Sequence, residues 1–436
     1  MNWLSLVKQH YETHINALRR HVSGQLVIQF TDQCNARCPQ CGMRVTEPFK
    51  RSKLAVTDVK TIINQAAQVG VKVISFTGGE PFIYLDDLVE LIHYAKQAGI
   101  TFIRTGTNGF LFKNPEAPDF TERIHRLAKT LADTPLRNLW ISIDSSCTET
   151  HEAMRGFNGS IAGIKKALPI LHHYGIYPSA NLGINWNISQ ETQELLKKKW
   201  LFTGESDESA YLVLFEKTFQ RAFQQFYSVV IDMGFTMVNT CYPMSVESSQ
   251  TELDLDAVYA ASSTDDVVRF SQKERHLLFK VLMNIIPQFR SKIRIFSPLC
   301  SLYSLMMQYI GHPEFPYPCR GGIEFFFIDA KSGNTYPCGY RGNENLGKFG
   351  DIDWKHMHCE KKCIRCDWEC FRDPSELLGP VFDGLSSPLT LMDKYKNRKE
   401  YYKIWLNDVL YMVACDFFNG RRPPDFEKLK QFSKKI

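Results

Sequence analysis

The sequence predicts an α/β fold: a parallel sheet or barrel carrying a small cysteine-rich extension and a helical tail. Three observations predict it. Strand-like runs alternate with amphipathic helical runs through the first half of the chain, as parallel α/β architectures require. Polar and glycine-rich motifs directly follow the strand-like runs, where such barrels assemble their sites. The cysteines gather in two knots, one near the start of this alternation and one far beyond it.

In chain order, Val27-Ile-Gln-Phe30 is the first strand and runs straight into a cysteine knot. The second is Val73 to Thr77, followed by Gly78-Gly-Glu-Pro81, and the third is Phe102 to Thr105. Leu139 to Asp144, Ala180 to Trp186 and Phe235 to Asn239 complete six. Between them, Val59, Ile62, Ile63 and Ala66 recur at helical spacing before a terminating Gly70, and Leu85, Leu88, Leu91, Ile92 and Ala95 do so before Gly99. Residues 189–233 read as a helical connection with a polar interruption around Gly204 to Ser209, and 271–289 as a further helix. The tail places Trp405, Val409, Met412, Val413 and Phe417 on one face.

With 436 residues, 44% of them hydrophobic, the chain can build a core without disulfide staples. A net charge of only +5 predicts no nucleic-acid partner. Apolar runs such as 211–215 and 409–415 fall short of the ~18 residues that span a bilayer, and Met1 to Lys8 lacks the pattern of a secretory signal. A cytoplasmic location follows as the expectation. There thiols stay reduced, so thirteen cysteines point to metal ligation rather than a disulfide framework.

The first knot is Cys34-Asn-Ala-Arg-Cys38-Pro-Gln-Cys41. Three thiolates on so short a loop can hold three corners of a [4Fe–4S] cubane and leave the fourth iron open for chemistry. Half of a zinc site, built on Cys38 and Cys41, is the competing reading. The C-x3-C-x2-C loop resembles the signature of the radical SAM superfamily, and Gly78-Gly-Glu-Pro81 resembles that family's motif after the second strand. The resemblance implies that the open iron chelates S-adenosylmethionine (SAM) and that one electron from the cluster yields a 5'-deoxyadenosyl radical. It implies cofactor-binding roles for Gly78, Gly79, Glu80 and Pro81 toward the methionine amino group. Asn108, Ser142 and Asp144 correspond to positions facing the ribose or methionine moiety, and Arg155 to an arginine that pairs with the SAM carboxylate. Many members carry an aromatic residue before the third cysteine, where this chain has Gln40.

The second knot is Cys359-x3-Cys363-x2-Cys366-x3-Cys370. Upstream, Phe325 to Asp329 and Thr335 to Pro337 read as a hairpin turning at Ser332-Gly333, which would draw Cys319 and Cys338 together. The spacing from Cys319 through Gly333 to Cys338 resembles the opening of SPASM and twitch extensions. It implies one auxiliary [4Fe–4S] cluster on Cys319, Cys338 and two cysteines of the knot, with a second possible if Cys300 or Cys415 contributes. A zinc ribbon is the alternative. Cys147 and Cys241 read as buried free thiols.

The resemblance implies that the sheet closes into a partial (β/α)6 TIM-like barrel, and the resulting division is an N-terminal helical segment over 1–24, a radical SAM core over 25–310, a SPASM/twitch-like extension over 311–385 and a helical tail over 386–436. The resemblance implies a flavodoxin- or ferredoxin-type electron donor. It also implies hydrogen abstraction from a substrate: first a peptide or protein side chain, alternatively a small-molecule or lipid intermediate. A non-catalytic iron–sulfur or zinc scaffold is the competing class, and a SAM site would be superfluous to it.

Overall fold

The computed structural model describes residues 24–41, 50–199, 205–243, 257–258, 266–312, 314–354 and 363–433. The N-terminal helical segment therefore lies, Gly24 apart, outside the described residues, as does Cys359. The six expected strands form: β1 (Gln25–Thr31), β2 (Val73–Gly78), β3 (Phe102–Thr107), β4 (Asn138–Ser142), β5 (Ser179–Gly183) and β6 (Met237–Cys241). Three more join them, namely β7 (Arg294–Ile295), β8 (Phe325–Ile328) and β9 (Thr335–Tyr336). All nine make one sheet in the order β7-β6-β5-β4-β3-β2-β1-β8-β9. Every pairing is parallel except the β8–β9 hairpin.

This arrangement is the partial barrel expected, with an addition. The hairpin does form, with Ser332 N–H donating to Asp329 and Gly333 at φ +67°. Its first strand also pairs in parallel with β1, from Gln25 opposite Phe325 to Ile28 opposite Ile328. A Phe-Phe-Phe-Ile strand buried on both faces suits such an interior position. The sheet thus runs unbroken from core into extension.

Strand periodicity sorts the two faces. Leu26, Ile28, Phe30, Ile74, Phe76, Ile103, Leu139, Ile141, Ala180 and Leu182 enter the main core with the helices. These include α1 (Val56–Gln68), α2 (Leu85–Gln97), α3 (Phe120–Ala132), α4 (Thr148–Arg155), α5 (Ser160–His173), α6 (Gln190–Lys199) and α7 (Glu205–Met233). The alternate positions, among them Ser75, Arg104, Trp140, Asn181 and Asn239, face the inside of the partial barrel. Between the adjacent strands β3 and β4, Gly106 makes room for its neighbour Trp140: a Cβ there would lie 2.0 Å from the indole nitrogen.

Two expectations need correction. The segment Glu205 to Ser209 opens helix α7 rather than interrupting a helical connection. After α8 (Gln272–Phe289), the helix expected over 271–289, which starts at a Ser271/Glu274 capping box, come α9 (Leu299–Gln308), α10 (Glu369–Ser386), α11 (Pro388–Asn397), α12 (Lys399–Ala414) and α13 (Phe426–Lys430). In α12 the buried face is Tyr401, Ile404, Asp408 and Tyr411, whereas Val413 is exposed. Asp408 turns the helix: it accepts from Arg290 at 2.6 Å and from the Cys300 backbone N–H at 2.7 Å. A buried charge with two strong donors outweighs the apolar pattern of the neighbouring face. Among the described residues no helix is long and apolar enough to cross a membrane.

Candidate active site

The first cysteine loop leaves the end of β1 and folds on itself. Cys41 N–H donates to the Cys38 carbonyl at 3.1 Å, and Ala36 N–H points at the Cys34 sulfur at 3.4 Å. The three thiols pack in one small cluster with Ala36, Phe110 and Phe157. Burial pushes the Cys34 thiol up, with the Glu80 charge adding to it, and pushes that of Cys38 to about 12, where Asp144, Cys41 and Cys34 add to it. Such thiols stay protonated until a cation replaces the proton, as metal loading does.

The Gly-Gly-Glu-Pro motif after β2 docks directly on this loop. Gly79 N–H donates to Thr31 O at 2.7 Å and Glu80 N–H to Gln33 O at 2.9 Å. A Cβ at Gly78 or Gly79 would stand 2.0 or 2.1 Å from those same carbonyl oxygens, so backbone contact alone demands both glycines. Glu80 is fully buried and accepts from Phe82 N–H at 3.0 Å and Asn108 N–H at 2.5 Å. Burial raises its pKa to about 7. Pro81 begins the following 3-10 turn, where a missing N–H costs nothing. Asn108, after β3, donates to Asn35 at 2.9 Å and lies 3.7 Å from the Cys34 sulfur.

Beyond β4, Asp144 is buried and Arg155 holds it through two donors, at 2.5 and 2.8 Å. Arg155 also lies within electrostatic reach of Cys38 and Cys41. The two residues expected to contact SAM separately are thus one ion pair beside the cysteines. Ser142 is buried at the end of β4. His151 completes the corner by accepting the Asp144 backbone N–H at 3.1 Å. Burial lowers its pKa to about 4, so it is neutral and the nearby Asp144 carboxylate is a neighbour rather than an ion-pair partner.

Three thiols at the mouth of a parallel barrel, tied to the ends of β2 and β3, match what the comparisons find. Residues 28–195 match the Radical SAM superfamily. This segment is a radical SAM domain. The superfamily binds a [4Fe–4S] cluster and SAM. The AdoMet-dependent heme synthase of Methanosarcina barkeri is 21% identical over 369 residues, 80% of this chain and 85% of that protein. The GTP 3',8-cyclase of Pelotomaculum thermopropionicum is 32% identical over 168 residues, 36% of this chain and 44% of its own length. The chain therefore spans less than half of that second relative. Streptococcus suis SuiB, solved bound to S-adenosylmethionine, shares the fold with a TM-score of 0.51 at 16% identity, covering 81% of this chain and 71% of SuiB.

Residues around the radical SAM domain's cysteine loop fit such a ligand in one further respect. Both polar atoms of the Gln40 amide are buried without a hydrogen-bond partner among the described residues. A bound adenine edge, with its own donor and acceptors, would satisfy them.

In the extension, Cys319, Cys338, Cys363 and Cys366 come together. Cys319 N–H donates to Cys363 O at 2.8 Å, and Cys338 and Cys366 each feel the charge of Cys319 and Cys363. The four are buried in one cluster with Val27, Phe325, Phe327, Tyr340, Trp368 and Phe371. Among the described residues no three metal-ligating side chains converge on a position for a single ion. Cys370 stands apart from this group: its electrostatic neighbours are Glu369, Arg104 and Asp373, and Cys241 lies beside it. Cys300 belongs to the main core and Cys415 to a separate cluster under α12.

Sequence reasoning missed Arg104, Glu369 and the position of Cys241 inside the barrel. The signal was present for Arg104, since strand alternation places residue 104 on the face opposite Ile103, which enters the core with the helices.

Proposed function

We propose that Cys34, Cys38 and Cys41 hold a site-differentiated [4Fe–4S] cluster and that the chain is a radical SAM enzyme acting on a substrate inside the partial barrel. The observation that carries this reading is the docking of the Gly-Gly-Glu-Pro motif and Asn108 on the segment that bears the thiols: Gly79 and Glu80 N–H donate to the Thr31 and Gln33 carbonyls, Glu80 accepts from Asn108 N–H, and the Asn108 amide lies 3.7 Å from the Cys34 sulfur. With SAM bound, such a cluster supplies one-electron cleavage to a 5'-deoxyadenosyl radical that takes hydrogen from an unactivated carbon. Glu80 and Asn108 hold the loop in register, the Asp144–Arg155 pair offers charge to the methionine zwitterion, and Phe110 and Phe157 exclude water beside the thiols. Gln40 reads the adenine.

Cys319, Cys338, Cys363 and Cys366 hold one auxiliary [4Fe–4S] cluster, making the extension SPASM/twitch-like and leaving Cys370 outside it. Among substrates, a small molecule is preferred to a peptide side chain, because the relative aligned along four fifths of the chain is named for making heme. A flavodoxin or ferredoxin delivers the electron. Anaerobic reconstitution followed by SAM and dithionite should yield 5'-deoxyadenosine, with about eight irons per chain. A reconstituted protein that binds iron yet forms no deoxyadenosine is a scaffold, and one that carries zinc in the extension has no auxiliary cluster.

A further inference from the structure

Arg104 is charged, central in β3 and turned inward, and it has no function in the reading above. Its Nε is buried without a partner, and among the described residues its guanidinium makes no hydrogen bond. The indole of Trp140 and the ring of Phe296 flank it, with the guanidinium carbon 5.4 and 5.1 Å from the ring centroids. Two aromatic faces hold its plane and its Nε is covered, while the residue as a whole keeps intermediate exposure; a charge so placed without a partner is costly. Such an arrangement persists when an anion arriving from outside completes it.

The neighbouring groups leave that place open. Glu369 lies within electrostatic reach, but its carboxyl is engaged by the Cys370 thiol at 3.6 Å, by the Cys241 thiol and by Tyr242 N–H at 3.4 Å. Burial raises Glu369 to about 7 and pushes both thiols well above their ordinary range, so none is a firm counterion. Glu369 and Cys370 also open helix α10, whose N-terminal end adds partial positive charge.

We infer that Arg104 is the substrate anchor of this enzyme, binding a carboxylate of the substrate in the barrel interior. The inference rests on the radical SAM reading and adds the chemical class. A guanidinium fork matches a carboxylate through two parallel donors, and one cation balances one monoanion. Among the described residues no second cation stands beside Arg104 to balance a phosphate dianion. Position adds length: Arg104 precedes Asn108 by four residues, roughly 13 Å of strand at ~3.3 Å per residue. Asn108 touches the cysteine loop, so a carboxylate held by Arg104 belongs to a substrate long or broad enough to bridge much of that depth. Formate or acetate is too short.

The test is ligand-observed NMR on the anaerobically reconstituted, SAM-loaded holoenzyme with hexanoate, its neutral isostere hexanamide, and inorganic phosphate. Hexanoate should bind at least tenfold more tightly than hexanamide, and phosphate should not displace it. Arg104→Gln should weaken hexanoate at least tenfold, Arg104→Lys should retain part of the binding, and Arg126→Gln, a surface control, should retain all of it. Equal binding of hexanoate and hexanamide, displacement by phosphate, or wild-type affinity in Arg104→Gln overturns the assignment. If Arg104→Gln fails to fold, as its iron content would show, the hexanoate and hexanamide pair on the wild type still decides. A blocked pentapeptide with one Glu that competes more tightly than hexanoate assigns the carboxylate to a peptide; weaker competition assigns it to a small acid. Deoxyadenosine formation by the wild type is scored separately, so the radical SAM reading can stand while the carboxylate fails, or the reverse.

Discussion

The two thiol groups of this protein are built in opposite ways. The first comes from eight consecutive residues, Cys34 to Cys41, on a loop that the ends of β2 and β3 brace from outside. The second is collected from three separated segments, at Cys319, at Cys338 and at Cys363 with Cys366, walled by aromatic rings. Three thiols leave a cubane one open corner, whereas four close it. On the function proposed above, number and enclosure would assign the roles: the open group would do the chemistry, and the closed group would store or pass charge and brace the extension.

The largest effect expected from that contrast is on turnover. Replacing Cys34, Cys38 and Cys41 together with Ala should abolish deoxyadenosine formation, by at least a thousandfold, while about four irons remain with a [4Fe–4S] Mössbauer signature. Surviving deoxyadenosine would show that the open group is not where SAM is cleaved.

The second prediction breaks the closed group. Changing Cys363 and Cys366 to Ala should remove about four irons and loosen the extension, because the four buried thiols come from three separated segments that shared metal ligation would tie together. Cys370→Ala should keep the full iron count, since Cys370 neighbours Cys241 and Arg104 rather than the four. Loss of four irons in Cys370→Ala would place it among the ligands after all.

The two groups also differ in how much of them was legible. The spacing of Cys34, Cys38 and Cys41 is local, so the loop and the strand before it could be read directly. Six strands and the helices at Val59 to Ala66 and Leu85 to Ala95 followed from periodicity. Partition of the later cysteines was not legible, because it depends on where β8 lies, and β8 pairs with β1 some 300 residues away in sequence. Arg155 was read as a lone ligand-facing arginine, yet its pairing with Asp144 is a contact that no spacing rule encodes. The α12 face was misjudged for a related reason: a hydrophobic pattern cannot see that Asp408 is drawn inward by Arg290.

The third prediction sharpens the function of the bracing around the open group. Glu80→Ala should leave both clusters in place and weaken SAM binding on the order of a hundredfold, as loss of a buried charge-assisted partner typically does. Calorimetric or filter-binding titration of SAM reads it. Unchanged affinity would confine Glu80 to tying Phe82 and Asn108 together.

The smallest effect is on stability, and here the two regions should respond to pH with opposite signs. His151, beside the open group, is held neutral by burial with its pKa lowered to about 4, so the unfolded chain binds its proton first. Its contribution is therefore present above pH ~6.5 and is lost as pH falls toward 4, by about 2 kcal/mol between pH 7 and pH 5. Glu376, in the extension, accepts from Tyr317 N–H and Tyr401, and burial raises it to about 7. Here the unfolded chain releases the proton first, so the contribution is complete below pH ~4.5 and is lost as pH rises to 7, again about 2 kcal/mol over pH 5 to 7. His151→Gln should therefore steepen the loss of stability toward pH 7, and Glu376→Gln should steepen the loss toward pH 5. Denaturant midpoints of the two variants against the wild type at pH 5, 6 and 7 measure both slopes. Parallel slopes would mean that one of the two groups carries its charge in the folded protein, and the variant whose difference from the wild type stays flat identifies which.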